Sequence, residues 1–336
     1  MSDVPAAKYR TLFTVVALSL VVLGVMSAMD VSNQTYTGYF TDGNNKVTLV
    51  DAGSPAAAAG LQVGDMIKSL NGVAVTDTKG FINMHRPAVG AAWPMVLERG
   101  GQTVNVTITM AALRDQDVYV TRAATMLGFC FLGFTLWAYF AAPGAATAAL
   151  AVFGLSWGFA FLGTPYFESP ALRNAVNTLV FDLILLGDAL LVYFLLASPS
   201  RRPFLDRPSA MKILYVPAVV VAVLFTGFSI VQPEATSAVN VFFRTVGNAT
   251  LAGYFLVAII VLFRRFSATP AADRAAHGLG LMLAGAVLGL GPLLVSGIVN
   301  LVSPSTVLPG AQYWFLPLGL IPIAFSIAAV RSARRA

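Results

Sequence analysis

Eight stretches of roughly 19 or more residues carry few or no charged side chains, and this feature limits the fold of the chain more tightly than any other. They run, within a few residues, over 11–29, 119–141, 145–163, 174–197, 213–231, 240–263, 278–302 and 313–330. At about 1.5 Å per residue each is long enough, as a helix, to cross roughly 30 Å of hydrocarbon. Backbone polar groups in lipid must be satisfied within the segment, and these stretches lack the polar–apolar alternation of barrel strands, so helices are expected. The composition agrees: of 336 residues 57% are hydrophobic and 11% charged, and the mean hydropathy is +0.76.

Lys and Arg placement sets the expected orientation, because basic residues in short loops stay on the cytoplasmic side. With the N-terminus inside, the cytoplasmic segments hold Lys8, Arg10, Arg201, Arg202, Arg207, Lys212, Arg264, Arg265, Arg274, Arg331, Arg334 and Arg335 against Asp3, Asp206 and Asp273. The long polar interval from Asp30 to Val118 holds six basic and eight acidic residues. Both termini are therefore expected inside and the polar interval outside, and the net charge of +6 needs no nucleic acid to explain it. The first stretch also has the basic front and small residues, Ser27 and Ala28, of a cleaved signal peptide, but its length favours a retained helix. Either way the polar interval is exported.

Inside that interval the pattern changes to short runs of alternating residues separated by turn formers: "KVTLV", "MIKSL", "PMVLERG" and "TVNVTITM". "SPAAAAGL" supplies Ser at a helix start, Pro in the first turn and Gly at the end. Asn71-Gly72 and Gly100-Gly101 are tight-turn pairs. A mixed α+β unit inserted into an α-helical polytopic membrane protein follows, divided as a first span (1–29), an extracytoplasmic unit (30–118), a seven-helix bundle (119–332) and a tail (333–336).

"GSPAAAAGLQVGDMIKSLNGVAV" followed by "LERGGQTVNVTI" resembles the bacterial form of the PDZ domain found in high-temperature-requirement proteases and site-2 proteases. In that family an extended peptide adds as a strand to a sheet edge beside a helix, its terminal carboxylate held by backbone amides. The resemblance implies that Tyr36, Thr37, Gly38, Tyr39 and Phe40 form the carboxylate loop and its strand. It also implies that 77–85 is the groove helix, with Phe81, Ile82 and His85 facing the ligand, a peptide or protein C-terminus. Gly80 is expected to interrupt that helix and Pro87 to end it early, which leaves two uses open: a working peptide groove, or a PDZ fold serving as a docking body.

Ionisable residues within spans are costly unless they face protein or water. Asp182 and Asp188 lie roughly 12 and 21 Å along the fourth span from its outer end. Six residues turn a helix by about 240° net, so the two carboxylates do not share a face. Arg244, one turn into the sixth span, is expected to pair with Asp182, whereas Asp188 marks a polar cavity. Arg122 and Arg173 sit near outer helix ends, where snorkelling to the interface accounts for them.

Zinc-protease chemistry needs two His on one helix face with a Glu between them, and the sequence holds just His85 and His277. No phosphate-binding glycine loop occurs. A chain that is not an enzyme, with no metal and no cofactor, is expected. The order of elements is similar to the sensor region of PDZ-bearing bacterial sensor histidine kinases of the quorum-sensing type, although Tyr193 stands where a His is frequent, and Ala336 falls where a kinase would begin. The chain is then either the sensor portion of a longer protein or a free-standing module. Two functions remain. One is a receptor in the bacterial inner membrane that binds a peptide or small apolar ligand and signals to a cytoplasmic partner. The other is a non-catalytic assembly subunit contacting lipid and other membrane subunits.

Overall fold

The charge-poor stretches form helices nearly end to end. A computed structural model of the chain describes residues 6–42, 44–231, 238–302 and 310–335. Among them, eight helical segments are long and apolar enough to cross a membrane. They comprise α1 (Ala6–Asp30), α4 (Asp115–Ala141), α5 (Ala145–Leu162), α6 (Pro170–Ala197), α7 (Ala210–Val231), α8 (Ala238–Ala268), α10 (Leu279–Val302) and α11 (Leu320–Ala333), the last extended by a 3-10 turn over Leu316–Gly319. A six-residue helix, α9 (Ala271–Ala276), connects α8 to α10. Local chemistry sets the ends: Ser169 caps α6 by accepting from the Leu172 N–H, ahead of Pro170 in the first turn.

Small residues let the central helices approach closely. A Cβ at Gly154 would lie 1.9 Å from the Thr135 hydroxyl, one at Gly158 would lie 1.9 Å from Leu132, and one at Gly128 would meet the Leu162 backbone nitrogen at 2.7 Å. In lipid, where burial of apolar surface gives little drive between helices, such backbone approach supplies the packing energy. The bundle core is filled by Phe131, Phe153, Phe194, Leu150 and Leu185, all nearly inaccessible. Helix α1 packs on α4 and α5, with Phe13 edge-on to Tyr139 at 4.9 Å.

Between α1 and α4 lies the strand-rich unit. Strands β4 (Met66–Leu70), β5 (Val73–Ala74), β6 (Ala92–Arg99) and β7 (Gln102–Thr109) form an antiparallel sheet in the order β5-β4-β6-β7. Both hairpin turns carry residues with positive φ: Asn71 and Gly72 at 47° and 81°, Gly100 and Gly101 at 56° and 80°. Turns of that hand match the twist of the strands they join. Strand β2 (Tyr39–Thr41) pairs with β3 (Val47–Val50), and β1 (Thr35–Tyr36) with β8 (Ala111–Ala112), so the unit closes near its two points of attachment to the spans. Helix α2 (Pro55–Ala58) is capped by Ser54, as its sequence implies. The core is Val47, Ala56, Leu61, Ile67, Met95, Leu97 and Ile108. Asp65, 1% exposed, locks the turn before β4 to the end of β6 through a two-pronged ion pair with Arg99 at 2.7 Å on each arm.

Candidate functional site

The first wall of the candidate site is the segment 36–41. The Thr37 carbonyl accepts from the Ala56 N–H at 2.9 Å, and the Gly38 carbonyl from the Asp51 N–H at 2.8 Å. A trans peptide unit points its N–H opposite its C=O, so the amides of Gly38 and Tyr39 are turned away from the 51–56 segment. The Asp51-to-Gly38 bond also makes Tyr39–Val50 a non-hydrogen-bonded pair, so the N–H and C=O of Tyr39 face away from β3. Among the described residues no strand pairs with that side of β2. Gly38 is required here, because φ is +79° and a Cβ would stand 2.2 Å from that of Ser54. Tyr39 packs on the core, whereas Phe40 points outward and is 55% exposed.

Tyr36 has another task. Its hydroxyl donates to Asp51 Oδ2 at 2.6 Å. Burial, followed by the adjacent carboxylate, pushes its pKa up to about 12. The Arg114 guanidinium lies over its ring at 4.2 Å and binds both Asp51, at 3.1 Å, and Asp117 in the first turn of α4. The segment at Tyr36 is thereby tied to the start of a span.

The second wall is α3 (Thr78–Asn83). Gly80 does not interrupt it. The Asp77 side chain caps the helix by accepting from the Gly80 N–H at 2.8 Å, and a Cβ at Gly80 would come within 2.6 Å of Val73, so glycine permits close packing on β5. The helix ends at Met84, which is extended, three residues before Pro87. Phe81 and Ile82 are half-buried; His85 is exposed and sits 3.2 Å from Glu168, in the loop between α5 and α6.

Arg173 and Arg86 then join this wall to the bundle. Arg173, in α6, donates to the carbonyls of Ile82 at 2.7 Å and Met84 at 3.0 Å, and also to those of Phe167 and Glu168 and to the Tyr166 hydroxyl. The snorkelling account of Arg173 is thus corrected: its guanidinium bridges carbonyls at the end of α3, where a cation is favoured, to the loop between α5 and α6. Arg86 forms a two-pronged pair with Asp30 at the end of α1, at 2.6 and 2.8 Å, and its backbone N–H donates to the Tyr166 hydroxyl. The Tyr166 ring has Arg86 at 4.5 Å and Arg173 at 4.9 Å from its centroid. The Asp30 hydrogen bonds hold the Arg86 pKa above its ordinary value. These groups border a cleft of about 270 Å³ together with Gln34 and Asn177. Sequence reading missed the cluster, since Asp30, Arg86, Tyr166 and Arg173 are brought together by the fold from four separate segments.

The intramembrane residues separate as their spacing requires. Asp182 accepts from the Thr226 hydroxyl of α7 at 2.8 Å. Asp188, 1% exposed, accepts from Trp157 Nε1 of α5 at 2.8 Å, and its other oxygen has no partner among the described residues. Asp188 is not among the residues lining the apolar cavity of about 490 Å³ between α6, α7 and α8, and is held by an indole. The side chain of Arg244 lies outside the described residues, and with it the expected pair to Asp182.

A protein-family model described as a PDZ domain matches residues 46–99. The matched segment contains β3 to β6 and α3, with Phe81, Ile82 and His85, and starts after the loop at Tyr36 to Phe40. No curated protein matches the chain.

Proposed function

We propose that the chain is a non-catalytic membrane receptor whose PDZ groove takes the C-terminal end of an extended peptide and whose bundle senses the groove's occupancy. One observation carries this reading. The segment 36–41 and α3, the two groove walls in this reading, are each joined by a charged tie to a different span, the first through Asp51–Arg114–Asp117 to α4 and the second through Arg173 to α6. A strand added at Tyr39 to Thr41 presses between those walls, and a ligand shifts an equilibrium only through contacts that differ between its states. The unpaired side of β2 supplies the contacts for the peptide backbone; Gly38 is itself buried, so the carboxylate would be met by the amide of the half-buried Tyr39. In this reading the PDZ unit is extracytoplasmic, both termini are inside a bacterial inner membrane, and a cytoplasmic partner, borne on the same chain or separate, reads the basic ends of the spans.

The test uses the full chain in lipid nanodiscs with fluorescent peptides that differ only in a free or amidated C-terminus. Binding that prefers the free carboxylate at least tenfold, together with altered hydrogen exchange in α4 and α6, supports the receptor. Equal binding of both peptides, or binding that leaves both helices unchanged, refutes it. Stoichiometric co-purification with a fixed set of membrane subunits, without peptide binding, would establish the assembly role instead. An Asn44→Cys variant labelled by an impermeant thiol reagent in intact cells checks the orientation.

A further inference from the structure

The bundle contains an apolar cavity of about 490 Å³ between α6, α7 and α8 that takes no part in the PDZ site. Its lining includes Val192 and Leu196 of α6, Ile213 and Pro217 of α7, Tyr254 of α8, and Phe204 from the loop between α6 and α7. The volume falls within the range of about 300–1,000 Å³ usual for small-molecule pockets. On α8 the lining residues Thr250, Tyr254, Val257 and Val261 recur at helical spacing. The next member of that stripe, one turn on, is Arg265.

Arg265 is 3% exposed, and one of its terminal nitrogens donates to the Ser200 carbonyl. Its Nε and Nη1 are buried with no partner among the described residues, and no ion pair formed by those residues includes it. Arg202 follows Ser200 by two residues, and its backbone N–H is bonded to the carbonyl of the lining residue Leu196 at 3.0 Å. Arg207 lies over the Phe204 ring at 5.9 Å, and Lys212 is adjacent to Ile213. A buried guanidinium with two idle donors costs several kcal/mol unless an anion meets it, and its fork geometry suits a phosphate.

We infer that this cavity is a binding site for an anionic phospholipid of the leaflet bordering the 198–209 loop, with an acyl chain between α6, α7 and α8 and the phosphate at Arg265 and Arg202. An apolar cavity whose lining residue Val261 lies one helical turn from a basic residue at a span's end is the kind of arrangement that such lipids recognise. The site is independent of the receptor reading and of which side of the membrane the loop occupies.

Gly253 allows a clean test, because it lines the cavity and a Cβ there meets nothing within 4 Å. The full chain, purified in a neutral maltoside detergent, is titrated with dioleoyl phosphatidylglycerol and dioleoyl phosphatidylcholine and followed by native mass spectrometry. The wild-type chain is expected to prefer the anionic lipid about fivefold or more, and Arg265→Gln to lower that preference about fivefold. Gly253→Trp is expected to weaken both lipids about tenfold by filling the space, whereas Gly227→Trp, on α7 with equally open surroundings, leaves binding unchanged. Should Arg265→Gln fail to fold, Arg202→Gln together with Gly253→Trp decides the matter. Equal retention of the two lipids, competition by glycerol phosphate at the same molar level, or unaltered binding in Gly253→Trp would overturn the inference.

Discussion

Replacing Arg173 by Met keeps much of the side chain's apolar length and removes its five hydrogen bonds. Two of the five cross from the bundle to α3, at 2.7 and 3.0 Å, and both are charge-assisted. Bonds of this kind are worth about 1.5–3 kcal/mol each by difference, and with partial exposure and a shared donor the pair is worth about 3 kcal/mol. The equilibrium for lifting the end of α3 off the bundle should therefore rise about 150-fold. Two amides report it: Met84 N–H, bonded to the Phe81 carbonyl, and Arg86 N–H, bonded to the Tyr166 hydroxyl that Arg173 also holds. Hydrogen exchange of the full chain in nanodiscs should show both losing protection by about that factor, while Leu97 and Ile108 in the PDZ core stay protected. Less than a twofold change at Met84 and Arg86 refutes the tie as an energetic link. Equal loss across the core would mean that Arg173 supports folding of the whole unit, which also contradicts the argument.

Gly38→Ala, with its positive φ and a Cβ at 2.2 Å from that of Ser54, should destabilise the 36–41 segment by about 2–4 kcal/mol, whereas Gly53→Ala, with φ of +71° but open space, should cost about 1 kcal/mol; urea-dependent proteolysis of the 36–56 segment measures both. Asp65→Asn should cost about 2–3 kcal/mol at neutral pH through its bonds to Arg99 and the Gln62 N–H. The Arg99 hydrogen bonds lower the Asp65 pKa below its ordinary 3.8, so the stabilisation is complete well above that value and fades as pH falls through the lowered one; the stability gap between the two proteins should stay constant from neutral pH and narrow once the pH of the melts falls below 3.8. Tyr254→Phe removes a hydroxyl that donates to the Leu214 carbonyl and accepts from the Ala218 N–H on either side of Pro217, and should lower stability in detergent by about 1–3 kcal/mol, read as a shift in thermal melting.

What could be read from the sequence was what one segment decides by itself. Span positions follow from runs of uncharged residues, and strands β3, β4, β6 and β7 from alternation, because both periodicities are local. Asn71-Gly72 and Gly100-Gly101 announced their hairpins because few other residues tolerate positive φ. Gly80 misled for a related reason. Glycine lowers helix propensity when nothing packs against it, but here Val73 occupies the space of the missing Cβ and Asp77 caps the turn, so packing outweighs about 1 kcal/mol of propensity.

The ties between the PDZ unit and the bundle belong to a different class of information. Arg173 and Asp30 each look like an ordinary helix-end residue, and Arg86 like an ordinary loop cation, until the chain's return from the membrane brings α1, the segment after α3 and the α5–α6 loop to Tyr166. Charge alone could have narrowed the search, since Arg173 is a base on the face where bases are scarce and Asp30 an acid at the end of an apolar run. Neither residue gains from that position unless a partner is supplied from outside its own helix. A polar residue at a span's edge that is left unexplained by local capping is therefore best read as half of a contact, and its partner sought in whatever folded unit the next loop carries. On this chain the rule leads from Arg173 to the end of α3 and from Arg114 to Asp51 and the Tyr36 ring, the two segments that the proposed peptide site would use.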